Sequence, residues 1–408
     1  MKSFRVGRLF GIPIELDLTF LLVLPLFAYV IGAQVGQWVG ILNDVLGAGL
    51  DADVLTATPT VAFALGTVAA VGLFLGVVLH ELGHSLVARR YGVEISSIRL
   101  WIFGGIAQLA ELPEDWKKEL YIALAGPVVS VALGALAYGA FLAVPGIGGT
   151  VGVALSFLLG YLALMNLALA GFNMLPGFPM DGGRVLRALL ARDRPYARAT
   201  QIAARVGQGF ALLLGLFGLF GGGGLFLVAI AFFIYIGASS EAQQTMMRAA
   251  FEGVTVRDVM TPAERVDTVT RETSVADLVR RMFTERHTGY PVLESGRIVG
   301  LVTLEDAQSV PEIERDAYRV GDVMSTDLHT IEPRVDAMDA IERMQENGVG
   351  RLVVMDGGEF AGIISRSDLM TALDIIRSSG SLAAADRLDA GGRRNPSESS
   401  DPDPRFDD

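Results

Sequence analysis

The sequence predicts a polytopic α-helical membrane protein of about six spans, followed by a soluble α/β part. Of its 408 residues, 51% are hydrophobic and only 19% are charged. Residues 1–247 hold 14 basic and 14 acidic side chains, whereas residues 248–408 hold 19 basic and 31 acidic ones, so the formal charge of −12 belongs to the second part. A nearly neutral apolar body joined to an acidic soluble part is the simplest interpretation. Because that part repels phosphate, nucleic acid is excluded as a partner.

Uncharged runs of about 20 residues are long enough to cross a lipid bilayer. They predict spans near 16–37, 58–86, 119–144, 152–176, 202–220 and 225–240. The intervening loops that follow the odd-numbered spans carry no Lys or Arg, whereas the N-terminus and the segments after spans two and four are basic. The positive-inside rule therefore predicts a multi-pass protein of the cell membrane with both termini in the cytoplasm.

One apolar segment, residues 98–110, is too short to span a bilayer. Its β-branched and aromatic residues, together with Gly104 and Gly105, favour an extended hairpin that is interfacial or re-entrant. An ordinary interfacial loop is the alternative that the sequence leaves open. The prediction is a short membrane-embedded β segment.

The second span ends in His80-Glu81-Leu82-Gly83-His84 after twenty uncharged residues. Ionisable groups at that depth are costly and usually mark a functional site. On a helix His80 and His84 lie one turn apart and can share a metal ion, and Glu81 is placed to act as a base. The pattern indicates zinc hydrolysis.

A catalytic zinc site needs a third protein ligand. The chain has no cysteine, and the other two histidines, His287 and His329, lie in the soluble part, so a carboxylate is expected. Asp181 ends the long uncharged run and, like His84, lies shortly before a cytoplasmic arginine. An Asp before two glycines is also a common turn former, which is the alternative for this residue.

The backbone just before Asp181 must be irregular, because Pro176 and Pro179 cannot continue a helix. Lipid tolerates irregular backbone only where protein or a water-filled cavity surrounds it. The two motifs are therefore expected to meet at one depth and to hold one Zn²⁺ per chain through His80, His84 and Asp181.

Residues 1 to about 240 resemble the site-2 protease family of intramembrane zinc metalloproteases. The resemblance rests on four motifs: the His80–His84 pentapeptide, Phe103-Gly104-Gly105, Gly126-Pro127-Val128-Val129-Ser130, and Asn173 with Asp181-Gly182. It implies a zinc endopeptidase that hydrolyses peptide bonds in or near transmembrane segments of membrane proteins.

The resemblance also implies roles for single residues. His80, His84 and Asp181 would bind zinc, and Glu81 would be the general base for the attacking water. Asn173 would hold the scissile carbonyl or its oxyanion through its amide N–H, although capping the end of span four is an equally good role for it. The segment of Phe103, Gly104 and Gly105 would clamp an extended substrate by strand addition.

The soluble part contains a repeat. Val259-Met260-Thr261-Pro262 returns 64 residues later as Val323-Met324-Ser325-Thr326, and Gly300–Asp306 returns 62 residues later as Gly362–Asp368. Such a period indicates duplicated modules. The segment 252–377 resembles a tandem pair of CBS (cystathionine-β-synthase-type) domains. This divides the chain into a transmembrane metalloprotease domain (1–245), two CBS domains (252–310 and 318–377) and a disordered acidic tail (378–408).

That second resemblance implies an adenine nucleotide, ATP, ADP or AMP, as a regulatory ligand. Thr303 and Ser365 would meet its phosphates, and Asp306 and Asp368 would accept hydrogen bonds from ribose hydroxyls. Many such pairs bind nothing and dimerise instead, so a homodimer through these domains is also expected. An Asp at these positions equally suits a helix cap.

The competing interpretation of the whole chain is a CBS-regulated membrane transporter or channel whose metal cluster is structural. A transporter is expected to have interrupted helices in both halves, whereas here only span four is clearly broken. An inactive protease homologue is disfavoured because Glu81 and all three proposed ligands are present.

Overall fold

A computed structural model of the chain describes residues 3–101, 104–109, 115–144 and 147–379. The chain forms two compact units, and the boundary between them falls after Thr245. The predicted acidic tail, from residue 380 onward, lies outside the described residues.

The described part of the first unit contains four strands and nine helices. The strands are β1 Ser3–Leu9, β2 Ile12–Asp17, β3 Ile95–Trp101 and β4 Gly104–Leu109. The helices are α1 Phe20–Ala33, α2 Val35–Leu46, α3 Ala52–Thr56, α4 Pro59–Arg90, α5 Trp116–Ala143, α6 Gly149–Asn173, α7 Asp181–Ala191, α8 Tyr196–Phe220 and α9 Gly224–Phe251.

Five helices in the described ranges are long and apolar enough to cross a membrane: α4, α5, α6, α8 and α9. A sixth span results if α1 and α2 are taken together, although they are bent by 68° where the chain leaves helical geometry at Gln34. The prediction of a polytopic helical protein with about six spans is confirmed. The first predicted span differs in detail, because α2 continues through the predicted loop as far as Leu46.

The four strands of the first unit form one sheet in the order β1-β2-β3-β4. β3 and β4 pair antiparallel, so the hairpin predicted for residues 98–110 is present between Ile95 and Leu109. The sequence analysis did not predict β1 and β2, which pair through a tight turn at Phe10 and Gly11, both with positive φ. β2 then joins β3 in parallel, which extends the hairpin into a sheet.

The interruption between α6 and α7 carries the chain from Asn173 to Asp181. Prolines prevent helix there, and the segment packs against two helices: Gly177 lies against Gly207 of α8, and Pro179 lies against Gly237 of α9. Small residues on both helices let the segment approach closely. This packing fixes the point at which α7 begins.

The second unit contains two similar halves. Its helices are α10 Val256–Val259, α11 Val275–Glu285, α12 Leu304–Gln308, α13 Val320–Val323, α14 Ala337–Glu346 and α15 Arg366–Ser379. Its strands are β5 Thr261–Pro262, β6 Gly289–Glu294, β7 Arg297–Thr303, β8 Thr330–Ile331, β9 Arg351–Asp356 and β10 Glu359–Ser365. The hairpin β6–β7 corresponds to β9–β10, which confirms the predicted repeat and its soluble α/β character.

The entry segments of the two repeats are exchanged. Val256 N–H donates to the Val335 carbonyl, and the equivalent Val320 N–H donates to the Thr273 carbonyl, each at 2.9 Å. Phe251, Val254 and Val256 accordingly lie in the core of the second repeat, while Val320 lies in the core of the first. Each repeat completes its core with residues that precede the other one.

Candidate metal centre and active site

Three predicted ligand atoms converge where α4, α5 and α7 meet. His80 Nε2 lies 3.2 Å and His84 Nε2 lies 3.1 Å from Asp181 Oδ2, and the two Nε2 atoms are 3.2 Å apart. The side chains come from two segments about a hundred residues apart in sequence, and all three are buried, at 3%, 4% and 8% exposure. Within the described residues this is the one His/Asp/Glu group suited to hold a metal ion.

The spacing of these atoms fits zinc. Ligands bonded at about 2.0–2.1 Å to a tetrahedral ion lie roughly 3.3 Å apart, close to the three distances observed. Two imidazole nitrogens and one carboxylate oxygen are also a common donor set for a catalytic zinc, which keeps its fourth position open. Geometry and chemistry therefore agree on the same ion.

The tautomers of both histidines are fixed from α5. His84 Nδ1–H donates to the Ile122 carbonyl at 2.7 Å, an oxygen that can only accept. His80 Nδ1 lies 2.8 Å from Ser130 Oγ, and the same tautomer results if the hydroxyl accepts. With hydrogen on Nδ1, each ring presents the lone pair of Nε2 to the ligand cluster.

Gly126 of α5 provides the space for both imidazoles. A Cβ atom at this position would collide with His84 Nε2 and would lie 2.6 Å from His80 Nε2. Ile122, Gly126 and Ser130 are spaced by four residues, so they share one face of α5. The motif from Gly126 to Ser130 served in the sequence only as a family signature; the structure gives its two ends a position against the cluster.

Glu81 lies beside the cluster, next to the hairpin. A Cβ atom added to Gly105 of β4 would lie 2.7 Å from Glu81 Cγ and 3.1 Å from Val77 Cγ1. The backbone of β4 therefore passes directly over the proposed base. Gly104 opens the same strand, and Phe103 lies outside the described residues.

Asn173 is not among the residues gathered at the ligand cluster. It is the last residue of α6, and its Nδ2 donates to the Leu169 carbonyl one turn earlier at 3.0 Å. This bond suits the capping alternative, because it satisfies a carbonyl near the helix end. The oxyanion role stays a prediction.

The four residues predicted to bind nucleotide form two equivalent caps in the second unit. Asp306 Oδ2 accepts from the backbone N–H and the hydroxyl of Thr303, each at 2.7 Å. Asp368 Oδ2 accepts in the same way from Ser365, at 2.8 and 2.6 Å. Each cap joins a strand end to the following helix, as the capping alternative requires.

Arg351 is a further residue near these caps, and the sequence analysis gave it no role. Its guanidinium lies against Gly289 and donates to Thr288 Oγ1 at 2.7 Å. Burial lowers the pKa of Arg351, and the negative charge of Asp368 opposes that shift. The repeat offset of 62 residues makes Arg351 the equivalent of Gly289, and comparing those two positions would have singled it out.

Comparison with known proteins agrees with this description. Peptidase family M50 matches residues 68–214, and the CBS domain family matches residues 256–310 and 320–375. The zinc metalloprotease MJ0392 of Methanocaldococcus jannaschii is 35% identical over 92% of this chain and 97% of its own length. The putative zinc metalloprotease Rip3 of Mycobacterium tuberculosis is 34% identical over 91% of this chain and 93% of its own.

Among solved structures, a site-2 protease from Methanocaldococcus jannaschii shares 37% identity, covers 59% of this chain and 95% of that one, and has a TM-score of 0.39. The helical body, the His-His-Asp cluster and the relatives together define a multi-pass membrane zinc metalloprotease. The chain belongs to peptidase family M50, the site-2 proteases, and carries tandem CBS domains after the protease unit. This family membership disfavours the transporter or channel alternative.

Proposed function

We propose that this protein is an intramembrane endopeptidase that hydrolyses peptide bonds in or near transmembrane segments of membrane proteins. The observation that carries the proposal is the position of His80, Glu81 and His84 in α4, a 32-residue helix whose preceding turns are apolar. Water and ionisable groups are costly at such a depth unless they serve a reaction there.

In this proposal His80, His84 and Asp181 hold the zinc ion. When bound, zinc would supply Lewis acidity toward the scissile carbonyl and lower the pKa of a water to about 7. Glu81 takes the proton of the attacking water and passes it to the leaving amine. Ile122 and Ser130 keep the two imidazoles in the tautomer that binds metal.

Substrate is proposed to bind as an extended strand along β4. Among the described strands β4 is an edge of the four-stranded sheet, so its outer N–H and C=O groups are available for strand addition. Its Gly105 lies against Glu81, which brings a paired substrate backbone near the base. A transmembrane helix must unwind locally to bind in this way.

The decisive experiment is cleavage of a model transmembrane substrate in detergent by the wild type and by Glu81→Gln, with zinc measured in both. We expect one zinc per chain in each and a loss of about 10²–10⁴-fold in cleavage for the variant. Glu94→Gln, which changes an exposed carboxylate of the same unit, is the control and should retain full activity.

Equal cleavage by wild type and Glu81→Gln would refute the assigned base. A protein that holds zinc and cleaves no transmembrane substrate would instead favour the structural metal site of the transporter or channel alternative.

We further propose that the CBS domains regulate proteolysis by binding ATP, ADP or AMP at the two caps. All capping bonds fall on Oδ2 of Asp306 and Asp368, which leaves Oδ1 of each for a ribose hydroxyl. Asp306→Asn should weaken nucleotide binding, measured by equilibrium dialysis. Asp258→Asn is the matched control, since Asp258 forms the same kind of cap with Thr255. Binding that is equal in both variants, or absent from the wild type, would contradict the proposal.

The topology is proposed to place both termini in the cytoplasm of a cell-membrane protein, with a homodimer formed through the CBS domains. A C-terminal tag should then be digested in inverted vesicles and protected in right-side-out ones. Analytical ultracentrifugation in detergent should give the mass of two chains; a monomer would contradict the dimer.

A further inference from the structure

A buried arginine lies near the third proposed ligand. Arg187 of α7 is 1% exposed and follows Asp181 by six residues. Its Nε and Nη2 lie 2.7 and 2.6 Å from Glu119 Oε1, and its Nη1 donates to Glu241 Oε1 at 2.6 Å. One guanidinium therefore ties α7 to α5 and α9.

Two aromatic rings hold the same guanidinium from its faces. Its Cζ lies 4.8 Å from the ring of Phe178 and 4.8 Å from that of Tyr196. Phe178 belongs to the irregular segment that precedes Asp181, and Tyr196 begins α8. Arg187 thus contacts the chain on both sides of the ligand as well as the helices around it.

The helix that accepts Arg187 is also the one that orients the histidines. Glu119, Ile122, Gly126 and Ser130 follow one another at spacings of three and four residues, which places them on one face of α5. Ile122 and Ser130 contact the His84 and His80 rings, and Glu119 contacts Arg187. The two ligand-bearing helices are therefore both referred to a single face of α5.

We propose that Arg187 is a positioning residue that sets the Asp181 carboxylate against the two histidines. The inference rests on the proposed zinc site. Buried ion pairs are poor sources of net stability, because desolvation offsets much of their attraction, but a planar guanidinium fork fixes geometry in two directions. Removing the fork should therefore loosen the ligand set even where the protein still folds.

The test measures metal affinity. Arg187→Lys keeps the charge and loses the fork, so its zinc Kd, measured by competition with a chromophoric chelator, should rise about 10–100-fold. The visible spectrum of the cobalt-loaded protein should change as well, because Asp181 no longer has one fixed position. A merely structural role would lower the melting temperature and leave both readouts of the folded protein unchanged.

Arg281→Lys is the matched control. Arg281 likewise pairs with a glutamate, Glu285 at 3.1 Å, and faces a tyrosine, Tyr290 at 5.4 Å, but it belongs to the second unit. Its variant should keep the wild-type zinc Kd. If Arg187→Lys does not fold, Glu241→Gln, which leaves the bond to Glu119 in place, gives the same measurement with the same expected direction.

A folded Arg187 or Glu241 variant with wild-type zinc Kd and an unchanged cobalt spectrum would overturn the inference and leave the proposed function standing. A wild-type protein that binds no zinc would refute the proposed function itself, and the inference with it.

Discussion

Hydrogen bonds to the far side of each imidazole decide what the near side can do. His84 donates to a carbonyl that belongs to the backbone of α5, so its orientation does not depend on another side chain. His80 contacts the hydroxyl of Ser130 instead. The two ligands therefore differ in how they respond to substitution, since the Ile122 carbonyl cannot be removed and the Ser130 hydroxyl can.

Ser130→Ala should raise the zinc Kd, because the alanine cannot accept from His80 Nδ1 and the ring loses its fixed orientation. Loss of such an outer contact typically costs about 10–100-fold in metal affinity. The matched control is Ser85→Ala, since Ser85 is also buried and its Oγ has no hydrogen-bond partner within the described part of the chain. Equal zinc Kd values for the two variants would show that Ser130 does not orient the ligand.

Gly126→Ala should abolish zinc binding. Its methyl group would occupy the space of the two Nε2 atoms, and the rings cannot withdraw without leaving Ile122 and Ser130. Gly139→Ala on the same helix is the control, because nothing lies within 4 Å of a Cβ atom there. Metal analysis of the purified variants should show less than about a tenth of the zinc in Gly126→Ala and a full complement in Gly139→Ala.

At the scale of single elements, β4 is the part of the sheet that reaches the reaction centre. Gly105→Ala should lower cleavage about tenfold or more while zinc content stays unchanged, because the added carbon displaces Glu81 and not the ligands. Gly7→Ala in β1 of the same sheet meets nothing within 4 Å and should cleave at the wild-type rate. Zinc loss in Gly105→Ala would indicate a wider distortion of the site.

The sequence predicted some elements better than others, for physical reasons. The long helices announce themselves because the bilayer demands uncharged runs of their length, and the hairpin β3–β4 could be predicted from its apolar residues and two glycines. β1 and β2 could not, because half-buried strands at a polar terminus leave only a weak alternation. The bend between α1 and α2 was equally hidden, since no Pro or Gly marks Gln34.

The candidate site divides in the same way. The meeting of His80, His84 and Asp181 could be predicted, because few ionisable residues are available in apolar spans and their depth could be compared. The contribution of α5 could not, since a carbonyl and a glycine carry no chemical label in a sequence. Arg187 and Glu119 were visible as charges beside apolar runs, but pairing residues 68 positions apart requires the helix packing itself.

For the whole molecule, metal and stability should be linked. A ligand that binds the folded protein alone stabilises it by about 2.7 kcal/mol at 100 times its Kd and by about 4.1 kcal/mol at 1,000 times. Removal of zinc by a chelator should therefore lower the melting temperature of the wild type and of Glu81→Gln alike. Asp181→Asn, which loses a proposed ligand, should show a much smaller change, and an equal change in all three proteins would place the metal effect elsewhere.

The exchanged entry segments of the CBS pair bear on how such a pair arises. A lone repeat would lack the residues that fill its core, because these come from the chain ahead of the other repeat. An ancestral single copy is then complete only when two identical polypeptides trade their leading segments. Gene duplication would have internalised that trade, which explains why the two halves of the unit are still related by one offset yet are inseparable as folding bodies.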